Sequence, residues 1–124
     1  MTDFERGEIV LVPFPFTDLT DVRQRPGIII SPGWYNSSRE DVIVAAITSQ
    51  IPSPTAADEM LLESDDLTAC GLPKRSVIRT GKLFTIQQNL IRRRLGNLPD
   101  PRASELDSEL QIVAGLSPQP ATSL

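Results

Sequence analysis

The chain contains no histidine, which removes both the commonest general acid or base and the commonest metal ligand available to a protein at neutral pH. Any catalysis must therefore run on other groups. There is one cysteine, Cys70, in the segment Thr68-Ala69-Cys70-Gly71. A single thiol forms no internal disulfide, and with neither histidine nor a second thiolate nearby it builds no zinc set, so it reads as structural. Long apolar runs are missing as well. No stretch approaches the roughly 20 residues that span a bilayer, and Met1-Thr2-Asp3-Phe4-Glu5-Arg6 is not a cationic start leading into an apolar segment. The expected setting is the cytoplasm, with no membrane partner. The carboxylates Asp65 and Asp66, and Glu105, Asp107 and Glu109, lack the glycine-punctuated spacing of a calcium loop and read as solvated faces. No metal and no cofactor is expected.

What is present suffices for one core. The 124 residues are 40% apolar, which suits one soluble domain, expected over residues 1–116, with a disordered tail over 117–124 that opens on Ser117-Pro118-Gln119-Pro120. The net charge of −4 argues on its face against a nucleic-acid partner. Its distribution says otherwise. No acid lies between Leu67 and Pro99, whereas Lys74, Arg75, Arg79, Lys82, Arg92, Arg93 and Arg94 all do. That segregation permits a basic face on an acidic protein, although Arg92 to Arg94 can equally alternate across a strand as solvated charges.

Short runs of Val, Ile and Leu between Pro, Gly, Asn and Asp clusters predict an all-β domain closed by a helix. Strands are expected at Glu8–Val12, apolar on both faces and so central, and at Pro26–Ser31, Asp41–Thr48 and Met60–Glu63. Ser76–Thr80 and Lys82–Ile86 give two more, around a bulge at Gly81, and Arg93–Leu98 gives a seventh. Residues 13–25 read as a long exposed loop, because Pro13 and Pro15 deny ladder hydrogen bonds, and Leu67–Pro73 reads as a turn. From Asp100 the period changes. Pro101 suits a first helical position after an Asp cap, and Leu106, Leu110 and Val113 fall at helical spacing, giving an amphipathic helix of about four turns. The fold class is mainly β with a C-terminal helix: a small SH3-like curled barrel.

Several segments carry a resemblance. Arg6-Gly7-Glu8-Ile9-Val10 is followed by Phe14-Pro15-Phe16; then come Arg25-Pro26-Gly27-Ile28-Ile29-Ile30-Ser31 and Val44-Ala45-Ala46-Ile47-Thr48-Ser49. Further on lies Ser76-Val77-Ile78-Arg79-Thr80-Gly81-Lys82-Leu83-Phe84-Thr85-Ile86. In their order and spacing these resemble the MazF/PemK-like toxins of type II toxin-antitoxin systems, across roughly Arg6 to Leu116. The resemblance implies a CcdB/PemK-like barrel that works as a homodimer and cuts single-stranded RNA at short sequences without a metal. The catalytic pair it implies is Arg25, directly before the proline, and Thr48, at the end of the third strand. The implied partner is a cognate antitoxin whose flexible acidic segment folds into the groove over Arg25, with DNA engaged only indirectly through that antitoxin. The chain lacks the glycine-rich stretch that many MazF proteins carry before this arginine, so the cleaved sequence is not legible.

The implied chemistry is physically coherent. A ribose 2′-hydroxyl can attack the adjacent phosphorus if charge on the transition state is stabilised, and a guanidinium fork meets two phosphate oxygens while keeping its charge. A threonine hydroxyl donates to the same oxygens. Arginine suits the general acid role better than the base, given its high pKa, and the group that takes the 2′ proton is left open. Phe14, Phe16 and Trp34 can stack on unpaired bases or simply pack. Ser49, Arg79 and Lys82 are candidate RNA contacts, with a surface charge as the other reading of Lys82 and a loop start as the other reading of Ser49. The competing function is a non-catalytic barrel that binds a protein target such as a topoisomerase. Toxins of that kind use an aromatic anchor on the terminal helix, and here the helix ends in Ile112-Val113-Ala114-Gly115-Leu116 without one.

Overall fold

Six antiparallel strands in the order β4-β5-β3-β2-β1-β6 form one curled sheet, in a computed structural model that describes residues 4–14, 23–53 and 55–116. The strands are β1 (Glu8–Phe14), β2 (Arg23–Ile29), β3 (Asp41–Thr48), β4 (Glu59–Leu62), β5 (Ser76–Gln87) and β6 (Arg93–Asn97). Three helices join them: α1 (Gly33–Ser38), α2 (Asp65–Cys70) and α3 (Ala103–Val113). The expected disordered tail over 117–124 lies outside the described residues. Among those described, no helix is long and apolar enough to cross a membrane.

The sheet buries apolar side chains on both faces, as the doubly apolar β1 requires. On one face Ile9, Ile28, Ala45, Ile47, Met60, Leu62 and Ile78 pack with Leu106 of α3. On the other, Val10, Val12, Ile29, Val42, Val44 and Ile86 pack with Phe4. Each fully buried Ile, Leu or Met contributes about 1.5–3 kcal/mol, so register is firmly set wherever a slip by one residue would exchange the two faces.

The strand expected at Asp41–Thr48 is observed as β3. Two expected strands merge into the 12-residue β5, whose pairing with β3 jumps from Leu83 opposite Ala45 to Arg79 opposite Ala46. Thr80, Gly81 and Lys82, which face no residue of β3, form the expected bulge, and the strand bends there rather than ending. The loop expected from Pro13 is shorter than its prolines suggested. Pro13 pairs with Gln24 and Phe14 with Arg23, and Pro13 lies past the β1 pairing with β6, which ends at Leu11. Pro26 likewise lies just past the last β2–β3 pair, Gly27 with Ala46. Each proline therefore keeps its missing N–H away from a ladder. As a result Arg25 stands inside a strand, not in a loop.

Two helices have no counterpart in the sequence reading. α1 is fixed by tertiary contacts: the Asn36 side-chain amide donates to the carbonyls of Phe4 and Ser31, and the Ser31 hydroxyl donates to Asn36 Oδ1 at 2.6 Å. α2 replaces most of the expected turn and ends on Gly71 at φ 70°. It closes the seam of the curl. A Cβ on Gly71 would lie 2.0 Å from the Leu95 carbonyl oxygen, and one on Gly96 would lie 2.3 Å from the Ala69 carbonyl oxygen. Cys70, fully buried beside this contact, has its thiol pushed up to about 11 by burial, then by Asp66, against the pull of Arg102. It is an inert packing residue.

The C-terminal helix begins later than expected. A 3₁₀ turn over Asp100–Arg102 precedes α3, whose 11 residues make about three turns. Leu106 is buried, but Val113 is exposed. The carboxylates read as solvated are more involved than that. Arg102 pairs with Asp66 and with Glu105, and also donates to the Leu61 carbonyl, so it ties α2, α3 and β4 together. Asp107 pairs with Arg6 at 2.5 Å.

Glu109 has a buried oxygen with no hydrogen-bond partner. Burial, then the charges of Glu105 and Asp58, push its carboxyl up to about 7, against a hydrogen bond from Thr80 and the charge of Arg102. Because the folded value exceeds the unfolded one, the native state holds the extra proton between about pH 4.5 and pH 7, and stability falls as pH rises through that window. Glu109→Gln is therefore expected to stabilise the protein at pH 8, by about 1 kcal/mol after allowance for solvent screening, and to leave it unchanged near pH 4. Thermal unfolding at the two pH values checks this; equal shifts at both would contradict it.

Candidate active site

Arg25 stands opposite Val12 in the β1–β2 ladder. The β2–β3 ladder ends with Gly27 opposite Ala46; two residues further along each strand, alternation puts Arg25 and Thr48 on the same face as that pair. The two side chains that the sequence nominated thus lie on one face of adjacent strands, just past the end of their ladder and 23 residues apart in sequence. The floor beneath them is tight. A Cβ on Gly27 would meet Val44 Cγ1 at 2.5 Å and the Ala45 carbonyl oxygen at 3.2 Å, which explains the glycine two residues after the arginine. Arg25 is exposed, and none of the ion pairs among the described residues uses it. Thr48 is half-buried, and its hydroxyl oxygen accepts from the Gln50 N–H at 3.1 Å. That bond fixes the rotamer and leaves the hydroxyl proton to donate.

Around this pair the other nominated residues divide. Phe14 shares the face of Val12 and packs edge-to-face on Phe84, with ring centroids 4.9 Å apart, as a half-buried wall beside the site. Phe16 lies outside the described residues. Ser49 follows Thr48 directly and is exposed; Lys82 is exposed on the β5 bulge. Arg79 faces Ala46 from β5, next to the Thr48–Val77 pair. Trp34 is not part of the group: it lies in α1, nine residues beyond Arg25 at the far end of β2, and makes an edge contact with Tyr35.

The acid-free window yields less free positive charge than its composition suggests. Arg75 pairs with Glu63 at 3.0 Å, Arg79 with Glu59 at 3.3 Å and Arg94 with Glu8 at 3.1 Å, with Arg94 also over the Phe4 ring. The acids that neutralise them come from outside the window, which sequence order could not reveal. Glu59 is the functional candidate that sequence reading missed. Its signal was the alternation Glu59-Met60-Leu61-Leu62, which puts Glu59 and Leu61 on one face; beginning the strand at Met60 left Glu59 in the loop. Among the described residues no group of three or more acidic or cysteine side chains is placed to hold a metal ion.

Fold and site together define a small curled β half-barrel that carries a guanidinium and a hydroxyl on one face of two adjacent strands. Solved structures share this fold. An endoribonuclease in complex with its cognate antitoxin, from a mycobacterial species, superposes with a TM-score of 0.74 at 16% identity, covering 91% of this chain and 96% of that one. The Mycobacterium tuberculosis toxin MazF-mt6 gives 0.73 at 21%, covering 89% and 98%. A MazE-MazF structure from Deinococcus radiodurans gives 0.74 at 19%, covering 94% and 100%. No curated protein matches the chain in sequence. The chain belongs to the family of PemK-like, MazF-like toxins of type II toxin-antitoxin systems, whose pattern matches residues 5–114.

Proposed function

We propose that this toxin is a metal-independent endoribonuclease that cuts single-stranded RNA at specific short sequences, with Arg25 and Thr48 as its catalytic pair. The observation that carries the reading is the β2–β3 ladder ending at Gly27 and Ala46, because strand alternation two residues beyond it puts Arg25 and Thr48 on one face. Similar folds in solved endoribonucleases support it.

In this mechanism the ribose 2′-oxygen attacks the adjacent phosphorus and the bond from phosphorus to the 5′-oxygen breaks. A 2′,3′-cyclic phosphate and a 5′-hydroxyl result. The 2′-hydroxyl gives up its proton to water or a base, and the leaving 5′-oxygen gains one. Arg25 meets two non-bridging oxygens with its planar fork, where charge builds in the transition state. Thr48 donates its hydroxyl proton to one of them, and its bond from the Gln50 N–H holds it in place beforehand. Ser49 and Lys82 contact the flanking backbone, and Phe14 supplies a wall against which a base can lie. The toxin acts as a cytoplasmic homodimer, and a cognate antitoxin segment of acidic character occupies the groove over Arg25, mimicking phosphate.

Thr48→Val keeps shape and strand propensity while removing the hydroxyl. It is expected to slow cleavage by roughly 10–100-fold with little change in thermal stability. Analysis of the ends left on a long RNA tests the whole reading. Cyclic-phosphate and 5′-hydroxyl ends are expected, and cutting should stop when the nucleotide 5′ of a mapped cut carries a 2′-O-methyl group. 5′-phosphate ends would rule out 2′-hydroxyl attack.

A further inference from the structure

We infer that Arg79, held by Glu59, reads a nucleobase beside the scissile phosphate, and that the base it selects is guanine. The inference deepens the ribonuclease reading and rests on it for the ligand being RNA.

Three observations lead to it. First, Arg79 faces Ala46 while Val77 faces Thr48, so Arg79 is the diagonal cross-strand neighbour of Thr48, a separation of about 7–8 Å between Cα atoms. That is within reach of the nucleotide next to the one being cut. Second, the guanidinium is committed on one side only. Its Nε and Nη2 both donate to Glu59 Oε2, at 3.4 and 3.3 Å. This leaves the end of the fork, Nη1 together with the second hydrogen of Nη2, facing away from the carboxylate. Third, the pair is preorganised and accessible on the correct side. Glu59 is only 6% exposed while Arg79 is 37% exposed, and the other Glu59 oxygen accepts from the Ala56 N–H at 2.7 Å.

Charge then decides between phosphate and base. The pair carries no net charge, and a phosphate approaching Arg79 would also approach the Glu59 carboxylate, losing most of its attraction. Pulling Arg79 away toward a phosphate would strand a buried carboxylate without its partner. A neutral base meets neither obstacle. Guanine offers two acceptors, O6 and N7, at the spacing of an arginine fork. In an unpaired strand that edge is open. Adenine sets a donor beside its N7, and the pyrimidines have no N7. Glu59 is thus a positioning residue and Arg79 the specificity determinant.

The test is binding of short 2′-O-methylated RNA oligomers, which cannot be cut. Each set has randomised flanks and one fixed central base: guanine, 7-deazaguanine, adenine or cytosine. Affinities are read by fluorescence anisotropy across a salt series. The wild-type chain should bind the guanine set roughly tenfold more tightly than the others. Arg79→Lys should abolish that preference, the guanine set falling to the level of the adenine and cytosine sets, without flattening the salt dependence of any set. Glu59→Gln frees the guanidinium, so every set should bind more tightly with a salt slope steeper by about 0.7, while the guanine preference shrinks. A purely structural role for Glu59 would instead weaken every set.

An equal loss for all sets in Arg79→Lys, with a flatter salt dependence, would make Arg79 a phosphate contact and overturn the inference. So would a wild-type chain that binds all four sets alike. Cutting of a long RNA by the same preparation separates the two readings. A chain that prefers guanine but never cuts would overturn the nuclease and leave the base reader standing, and one that cuts with no guanine preference would do the reverse.

Discussion

Arg25→Ala is expected to slow RNA cleavage by roughly 10²–10³-fold, the loss seen when a single donor to developing negative charge is removed. The size follows from the role. The chain has no histidine, and in the proposed mechanism the Arg25 guanidinium brings the permanent positive charge to the scissile phosphate while Thr48 supplies one neutral donor. Arg25→Lys should recover only a small part of the rate, because an ammonium keeps the charge but lacks the fork that meets two oxygens at once. Stability should move by no more than about 0.5 kcal/mol in either variant, since Arg25 is exposed and joins none of the ion pairs among the described residues. Cleavage time courses beside thermal unfolding check both halves. A variant that folds normally and cuts at more than a tenth of the wild-type rate would remove Arg25 from the chemistry.

The second large effect is on stability. Gly96→Ala is expected to destabilise the fold by about 3 kcal/mol and lower Tm by roughly 10 °C. A Cβ there would lie 2.3 Å from the Ala69 carbonyl oxygen and 2.6 Å from the Cys70 carbonyl carbon. Both are backbone atoms of α2 and its end, so no side-chain rotation relieves the clash. The helix must move away from β6, and the seam of the curl opens with it. Arg25 and Thr48 lie on β2 and β3, away from that seam, so cleavage well below the transition should survive. A Tm within about 2 °C of wild type would show that α2 does not close the barrel in this way.

The sequence was most legible where chemistry and period coincide. The continuous apolar run of β3 announced a strand on its own, and the Arg-Pro-Gly and Ile-Thr-Ser segments nominated two residues that fall on β2 and β3, one at the end of its strand and one two residues past the last pair. Legibility failed where tertiary contacts override local preference. α1 is specified by the hydrogen bonds of Asn36 to Ser31 and Phe4, partners that composition cannot reveal, and its serines and glycine read locally as loop. α2 is six residues long, too short for a period to emerge. Pro13 read as a strand breaker because its open edge depends on where the neighbouring β6 pairing ends, at Leu11. The Glu59–Arg79 pair joins positions 20 apart on different strands, and neither residue hints at the other before the β4–β5 register is known.

The most direct test of the central claim is incubation of a long single-stranded RNA with the purified, antitoxin-free toxin in excess EDTA. Discrete cuts at recurring short sequences, each leaving a cyclic phosphate, are the expected result, because a guanidinium and a hydroxyl need no metal to stabilise the transition state. Failure of the folded protein to cut varied RNAs in EDTA, with cutting restored by added magnesium, would contradict the mechanism built on Arg25 and Thr48.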